Sequence, residues 1–202
     1  VSIDAGNVAD YCRTRHVPIS HWERAWQAVR VLARRKRHPE AAVGVGFVID
    51  RDNQGGVYDC CKTAKSHGAD NIRISMSFTP DGQSRWAADV LEVVAEQVVR
   101  AKAELEDDTF RINDLSAERA HNVKLGWQEY PLCIWAQVGC VIGADQNLYS
   151  CCSFAYAKAG LIGSIRERTF TQVWTEEGAR WREKHDPRRD CYIHCLYEGR
   201  NK

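Results

Sequence analysis

Residues 42–49 read AVGVGFVI, an unbroken apolar run that is rich in β-branched side chains. This pattern predicts a strand that is buried on both faces, and such strands are typical of parallel sheets. The alternation of strand and helix patterns along the chain predicts an α/β fold with parallel strands and right-handed crossovers. We expect the other strands at 1–4, 71–78 and 109–112, and helices at 21–36, 54–67 and 84–106.

Local signals mark the ends of two of these helices. Ser20 is followed three residues later by Glu23, which is the form of a capping box and predicts that the first helix begins there. Gly68 follows the second helix in the position of a left-handed C-cap. In the resulting sheet we expect strand 1–4 to lie at an open edge.

The composition excludes several classes of partner. The 202 residues suffice for one domain with a small appendage. Because 28 Lys and Arg residues nearly balance 27 Asp and Glu residues, no net charge draws the chain to nucleic acid or to an anionic membrane. No apolar run has the length of a membrane span, and no signal-peptide pattern occurs. We therefore expect a cytoplasmic protein.

The cysteines are concentrated in one part of the chain. Six of the nine fall between residues 133 and 195, in the segments PLCIWAQVGC, YSCCSF and DCYIHC. An odd number of cysteines beside regular helix patterns fits metal ligands in a reducing compartment better than a disulfide framework. Four thiolates can close a tetrahedral zinc site or bind an iron-sulfur cluster, and the spacing does not choose between them.

The chain changes character near residue 113. Helical and strand periodicity fades over 113–130, which predicts a linker between a domain at 1–112 and a second domain at 131–202. In the second domain VGCVIGA, a turn at 145–147 and LYSC predict a β-hairpin with a cysteine on each arm. A helix that contains Phe170, Val173 and Trp174 follows.

Two sets of motifs resemble one enzyme family. Cys133-x12-Gln146-x4-Cys151, then GLIGSIRERTFTQVW, then Cys191-x3-Cys195 resemble the auxiliary iron-sulfur domain of radical SAM enzymes, of the SPASM or twitch type. Upstream, VSIDAGN, Tyr11, Arg15, VGFVIDRDN and HGADNIRIS resemble the C-terminal half of the radical SAM barrel. The resemblance implies the second half of a parallel (β/α) partial TIM barrel, followed by a cysteine-rich β-hairpin and helix domain.

The resemblance also implies a metal site. It assigns an auxiliary 4Fe-4S cluster to four ligands, Cys133, Cys151, Cys191 and Cys195. Cys152 remains a rival of Cys151, because either member of the doublet can face the metal. Cys140 is interpreted as a packed strand residue.

A second implied site is that of S-adenosylmethionine. Ser2 and Asp4 match the strand that touches the ribose or methionyl part of this cofactor, and Val45, Gly46 and Phe47 match the strand near its adenine. Ordinary hydrogen bonding at the end of a strand is an equally open explanation for Ser2 and Asp4.

The chain departs from the family pattern in two places. The hairpin turn of the family usually carries glycine where this chain has Gln146, and we expect Asn147 to take the positive φ angle instead. The C-x3-C-x2-C motif is absent, since Glu198 stands where Cys191-x3-Cys195 would need the third cysteine. In the family that motif lies near the first barrel strand. We therefore expect an N-terminal half that carries a second 4Fe-4S cluster, and an inactive 202-residue chain.

The resemblance leaves the reaction open. It assigns no catalytic side chain to these residues, and it implies a peptide or small-molecule substrate and a reductant protein such as a flavodoxin or ferredoxin. Two other classes of function stay open. Residues 131–202 can be a structural zinc module without catalysis, or the whole chain can be a binding scaffold whose cysteines hold no metal.

Overall fold

The computed structural model describes residues 1–38, 40–77, 88–117 and 128–191, together with Cys195, Tyr197 and Asn201. The chain forms two compact units. The first unit comprises Val1–Thr79 and Gln83–Ala120, and the second comprises Pro80–Gly82 and His121–Lys202. Residue 78 of the predicted strand, residues 84–87 of the predicted helix and residues 118–127 of the predicted linker lie outside the described part.

The first unit is built on a parallel sheet. Its strands β1 (Gly44–Ile49), β2 (Asn71–Met76) and β3 (Arg111–Asp114) lie in chain order, with Val45 beside Ile72 and Ile72 beside Ile112. Ser2 forms a single parallel bridge with Gly46 at the outer edge of β1. The α/β class, the parallel sheet and the order of its three strands are thus confirmed, whereas the prediction of a strand at 1–4 is wrong, because only Ser2 bridges to the sheet.

Four helices of the first unit precede or follow these strands. They are α1 (Val8–Arg15), α2 (Ile19–Arg34), α3 (Val57–Ser66) and α4 (Ala88–Leu105). The helices contact one another in chain order, since Trp26 of α2 packs on the ring of His67 after α3, and Tyr58 of α3 hydrogen bonds to Gln97 of α4 through its backbone N–H. This layer covers the apolar face of the sheet.

Two predictions about this unit are wrong in detail. Helix α2 begins at Ile19 after Pro18, so Ser20 lies inside the helix and its hydroxyl accepts from Arg24 instead of capping the first turn. Helix α1 was not expected, and Asn7 caps it by accepting the N–H of Asp10 at 2.9 Å.

Strand β1 is buried on one face only, so the prediction of a strand buried on both faces is wrong. Val45, Phe47 and Ile49 are fully buried, whereas the side chain of Val48 is 37% exposed. The cause lies in the alternation of the strand, because the second face carries Gly44 and Gly46, which have no side chain to bury. The same face of β2 carries exposed Arg73.

The second unit contains a short antiparallel sheet. Strands β4 (Val141–Ile142) and β5 (Asn147–Tyr149) form the predicted hairpin, and β6 (Leu161–Ser164) pairs with the other edge of β5. Gln146 takes the positive φ angle in the turn, at 61°, so the prediction that Asn147 would take it is wrong. Gln146 thus adopts the backbone conformation for which glycine is the usual residue.

Helices surround this sheet. Helix α5 (Ile134–Val138) precedes it, and α6 (Phe170–Gln172), a π turn (Val173–Glu177) and α7 (Gly178–Lys184) follow one another without a break. A last helix, α8 (Pro187–Asp190), leads to Cys191. Among the described helices, none is long and apolar enough to cross a membrane.

Asn53 provides a test of the first unit. Its buried side chain donates to the carbonyl oxygens of Asp4 and Val48, both at 2.9 Å, and accepts the N–H of Asp50 at 2.6 Å. Asn53→Ala should lower the free energy of unfolding by about 2–4 kcal/mol, because three backbone groups lose a partner. The measurement is urea denaturation.

The matched control is Gln54→Ala, since the side chain of Gln54 donates only to the exposed carbonyl of Arg51. This variant should unfold within about 0.5 kcal/mol of the wild type. Equal midpoints for the two variants would show that Asn53 does not hold this loop.

Candidate functional site

The second unit holds the four cysteines that the resemblance names as ligands, and Cys133 begins the set. Its sulfur caps the first turn of α5 and accepts the N–H of Ala136 at 3.4 Å. The side-chain amide of Asn201 approaches the same sulfur at 3.7 Å. The sulfur is therefore buried and surrounded by N–H donors, which suits a thiolate bound to a metal.

Cys151 follows β5 and begins the next turn. Burial raises the pKa of its thiol, and the backbone N–H groups of Phe154 and Ser153 lower it in part. Its neighbour Cys152 is exposed, and the Cys152 sulfur lies 3.6 Å from the hydroxyl of Tyr197. Cys151 thus has the more enclosed sulfur of the doublet.

Cys191 lies at the end of α8, and the charges of the three other predicted ligands affect the pKa of its thiol. Burial raises the pKa of its thiol far above the ordinary range, and the charges of Cys195, Cys133 and Cys151 raise it further. Cys133, Cys151, Cys191 and Cys195 all belong to the second unit. The imidazole Nε2 of His185 lies 3.3 Å from the Cys191 sulfur.

Among the described residues, no three His, Cys, Asp or Glu side chains are placed closely enough to hold a metal ion as they stand. Four thiolates repel one another, so a metal ion would have to supply the positive charge that draws them together.

The end of the chain is attached to α5 by polar and aromatic contacts. The side-chain oxygen of Asn201 accepts the N–H of Ile134 at 2.8 Å. The ring of Tyr197 stacks on Trp135 with centroids 4.0 Å apart, and the N–H of Tyr197 donates to the Cys195 sulfur at 3.4 Å. These contacts hold Cys195 in the same neighbourhood as Cys133.

Two buried hydroxyls adjoin the predicted ligands and bear on whether a sulfur-rich group fits. The Tyr130 hydroxyl interacts with Cys195 and Asn201, and burial and then the charge of Cys195 raise the pKa of Tyr130. Ser150 immediately precedes Cys151, and its buried hydroxyl has no hydrogen-bond partner among the described residues. Because buried donors are normally satisfied, the Ser150 hydroxyl fits a site where an additional acceptor atom is bound.

A second candidate site lies in the first unit, at the carboxyl end of the parallel strands. A pocket of about 570 Å³ opens there beside the residues that follow β1 and β2. Small-molecule sites of α/β proteins are commonly found at this end of the sheet. The side chains that line the pocket include those of Asp4, Arg13, Arg15, Asp50, Asn53 and Ser77.

Asp4 is the best-anchored of these side chains. One carboxylate oxygen accepts the N–H of Val48 at 2.7 Å, and the other accepts the Ser2 hydroxyl at 2.8 Å and the Arg15 guanidinium. The backbone of Asp4 has a φ angle of 58°, in the left-handed region that non-glycine residues rarely adopt. Strain of this kind is frequent at ligand sites.

The other residues predicted to contact S-adenosylmethionine are Val45, Gly46 and Phe47, and they do not line the pocket with their side chains. The side chains of Val45 and Phe47 point into the apolar core and are fully buried, so only their backbone could meet a ligand. Gly46 is occupied in the bridge to Ser2, with its N–H donating to Val1 and its carbonyl accepting from Ile3. Sequence reasoning assigned no role to Asn53, Ser77 or His185, because nothing in their local sequence distinguishes them from surface polar residues.

Comparison with known proteins identifies no family. No family model matches the chain, and no curated protein matches it. Function is therefore inferred from the arrangement of these two sites.

Thiol reactivity tests the geometry of the metal-free cysteines. Because the thiolate is the reactive form, the raised pKa of Cys191 should make it slow to alkylate at pH 8, while exposed Cys152 should react first. Iodoacetamide labelling of the reduced, metal-free chain, followed by peptide mass spectrometry, gives the order. The slow reaction of Cys191 should become faster as the pH rises toward its raised pKa. Labelling of Cys191 ahead of Cys152 would contradict the burial of this sulfur.

Proposed function

We propose that this chain is the C-terminal part of a radical SAM enzyme, whose second unit holds an auxiliary 4Fe-4S cluster on Cys133, Cys151, Cys191 and Cys195. The observation that carries the proposal is the attachment of the segment after Cys195 to the first turn of α5, where the side chain of Asn201 accepts the N–H of Ile134 at 2.8 Å and approaches the Cys133 sulfur at 3.7 Å. The four cysteines come from three separate segments of the sequence.

The N–H groups around the sulfurs favour an iron-sulfur cluster. Backbone N–H groups of Ala136 and Tyr197 donate to Cys133 and Cys195, and such bonds tune the reduction potential of clusters. The Ser150 hydroxyl, which has no partner among the described residues, is a donor for which a sulfide ion of a cluster is a suitable acceptor. A zinc ion bound by four cysteines would bring no acceptor of its own.

The first unit supports the role of a half-barrel that holds S-adenosylmethionine. Its strands follow one another in chain order, as consecutive strands of a (β/α) barrel do, and no reversal of the order occurs among the described strands. When bound to the second cluster of the full-length enzyme, the cofactor would supply a 5'-deoxyadenosyl radical.

Asp4 is the residue of the first unit best placed to orient that cofactor. The N–H of Val48 and the Arg15 guanidinium fix its carboxylate at the rim of the pocket. A fixed carboxylate accepts hydrogen bonds from ribose hydroxyls or from an amino group. Ser2 acts on the ligand through Asp4, because its hydroxyl already donates to that carboxylate.

The partners follow from this role. A peptide or small molecule is the substrate, and the auxiliary cluster anchors it or passes an electron. A flavodoxin or ferredoxin is the reductant that supplies electrons to the clusters.

A structural zinc module is the second candidate function. It is favoured by the ligand set itself, since four cysteines close a tetrahedral zinc site as readily as they bind a cluster. Iron and acid-labile sulfide distinguish the two. A colourless protein that contains one zinc ion and no sulfide would replace the first proposal with the second.

Single cysteine replacements test the ligand set. Each of Cys133→Ala, Cys151→Ala, Cys191→Ala and Cys195→Ala should lower the iron and sulfide bound after anaerobic reconstitution by at least about half, because a cluster with three thiolates is easily lost. The measurement is iron and sulfide content per chain, together with the visible absorbance of the cluster.

Cys12→Ala is the matched control, because Cys12 lies on α1 in the first unit. This variant should retain the iron content of the wild type. Retention of full iron content in Cys191→Ala would remove Cys191 from the ligand set, and loss in Cys152→Ala alone would assign the doublet to Cys152.

A further inference from the structure

The face of the parallel sheet opposite the helices, here called the open face, carries a group of polar side chains. They alternate along β2 and β3 with buried apolar residues, so they share one side of the sheet. None of them forms a side-chain hydrogen bond to another residue of the described part of the chain. The group consists of Asn71, Arg73, Ser75, Arg111 and Asn113.

Arg73 lies at the centre of the open face. It belongs to the middle strand and is paired with Gly46 on one side and with Asn113 on the other. Gly46 leaves space beside it, because a methyl group added there would lie 3.8 Å from the Cα of Ser2. The guanidinium is exposed and has no ion-pair partner among the described residues. Its N–H donors are therefore available to a ligand.

A second cation lies diagonally across from the first. Arg111 is paired with Asn71, two residues before Arg73, so the spacing and rise of strands place the two arginine backbones about 8 Å apart. The ion pair of Arg111 within the described ranges is a 3.8 Å contact with fully exposed Asp108, and such a contact is weak. A depression of about 670 Å³ opens beside Asn71, Arg111 and Asn113. Two guanidinium groups on one face repel each other, and an anion between them would remove that repulsion.

The opposite end of the sheet is acidic. The carboxylates of Asp4 and Asp50 line the pocket at the carboxyl ends of the strands, and neither Arg73 nor Arg111 lines it. These carboxylates would repel a negatively charged group, so an anion on the open face is confined to the end that carries the arginines. The anion site is thus separate from the pocket assigned to S-adenosylmethionine.

We propose that the open face binds an acidic peptide segment in extended conformation, with Arg73 and Arg111 each holding one carboxylate. Alternate side chains of an extended peptide project from the same side about 7 Å apart, a spacing that two flexible arginine side chains can match. A guanidinium group binds a carboxylate through two parallel hydrogen bonds. The amide side chains of Asn71 and Asn113 can pair with the peptide backbone.

This inference deepens the proposed function, on which it rests in one respect, since it makes the substrate of the enzyme an acidic peptide. Binding to the open face itself involves only the first unit and needs no metal. A peptide fits better than a nucleic acid, because two arginines neutralise only two charges and Asp4 and Asp50 would repel further phosphates.

The test is fluorescence anisotropy of the metal-free 202-residue chain with a labelled peptide in which three glutamates alternate with serines. Arg73→Gln should raise the Kd at least about tenfold, because a charge-assisted pair of hydrogen bonds is lost. Arg111→Gln should have a similar effect. Arg73→Lys keeps the charge without the planar fork and should recover only part of the affinity. A peptide with glutamine in place of glutamate should bind at least about tenfold more weakly than the acidic one.

Arg24→Gln is the matched control, since it removes one positive charge from an exposed position of α2. It should leave the Kd unchanged. Equal affinity of the acidic peptide for the wild type, Arg73→Gln and Arg111→Gln would overturn the proposal. Inorganic phosphate or a single-stranded oligonucleotide that binds more tightly than the peptide, and does so through Arg73, would also overturn it, because the ligand would then be a phosphate compound.

The outcomes for the open face and for the proposed function are distinguishable. A chain that binds the peptide through Arg73 and assembles no iron-sulfur cluster supports the peptide site and overturns the proposed function. A chain that assembles the cluster and binds the peptide equally well in Arg73→Gln overturns only the peptide site.

Discussion

The second unit depends on a contact between the two ends of its sequence, where Asn201 meets the first turn of α5. One side chain satisfies the N–H of Ile134 and approaches the sulfur of Cys133, which is 68 residues away along the chain. Closing a flexible loop of that length costs about 4 kcal/mol of chain entropy. The two polar contacts of Asn201 and the stack of Tyr197 on Trp135 contribute about 1 kcal/mol each. The balance is therefore close, and a metal bound across Cys133 and Cys195 would decide it.

The first unit depends on a different constraint, which is that the two faces of its sheet are not equally covered. A parallel sheet is usually covered on both faces, yet Val48 and Arg73 lie exposed on the face opposite the helices. Glycines at 44 and 46 leave that face without bulk at the edge where Ser2 joins it. A face of this kind has room for a ligand. The same edge carries the strained Asp4, so the open face and the pocket at the strand ends are parts of one surface.

The sequence allowed prediction of those elements whose side chains follow a simple period. The strands and the hairpin were found because apolar residues alternate or run together in them. Helix α1 could not be predicted because its sequence, VADYCRTR, is mostly polar and buries only Tyr11. The predicted capping box at Ser20 does not form because the helix begins one residue earlier, at Ile19, with Pro18 in the N-cap position. The core positions of Val45 and Phe47 could have been predicted from alternation, whereas the contact of His185 with Cys191 depends on the turn between α7 and α8 and has no local signal.

The predicted ligands differ in how far their environment depends on tertiary structure. The backbone N–H donors of Cys133, Cys151 and Cys195 lie within three residues of each sulfur, so these donors accompany the sulfur wherever the segment is placed. The sulfur of Cys191 instead contacts the imidazole Nε2 of His185, six residues earlier, across the single turn of α8. That turn is shaped by Asp186, which caps it, and by Pro187 at its first position. Three of the predicted ligands thus have a local environment, and that of the fourth depends on the angle between α7 and α8. Binding of a metal that requires all four cysteines would therefore depend on the packing of this last turn. Cys191 is thus the predicted ligand whose position depends most on tertiary structure.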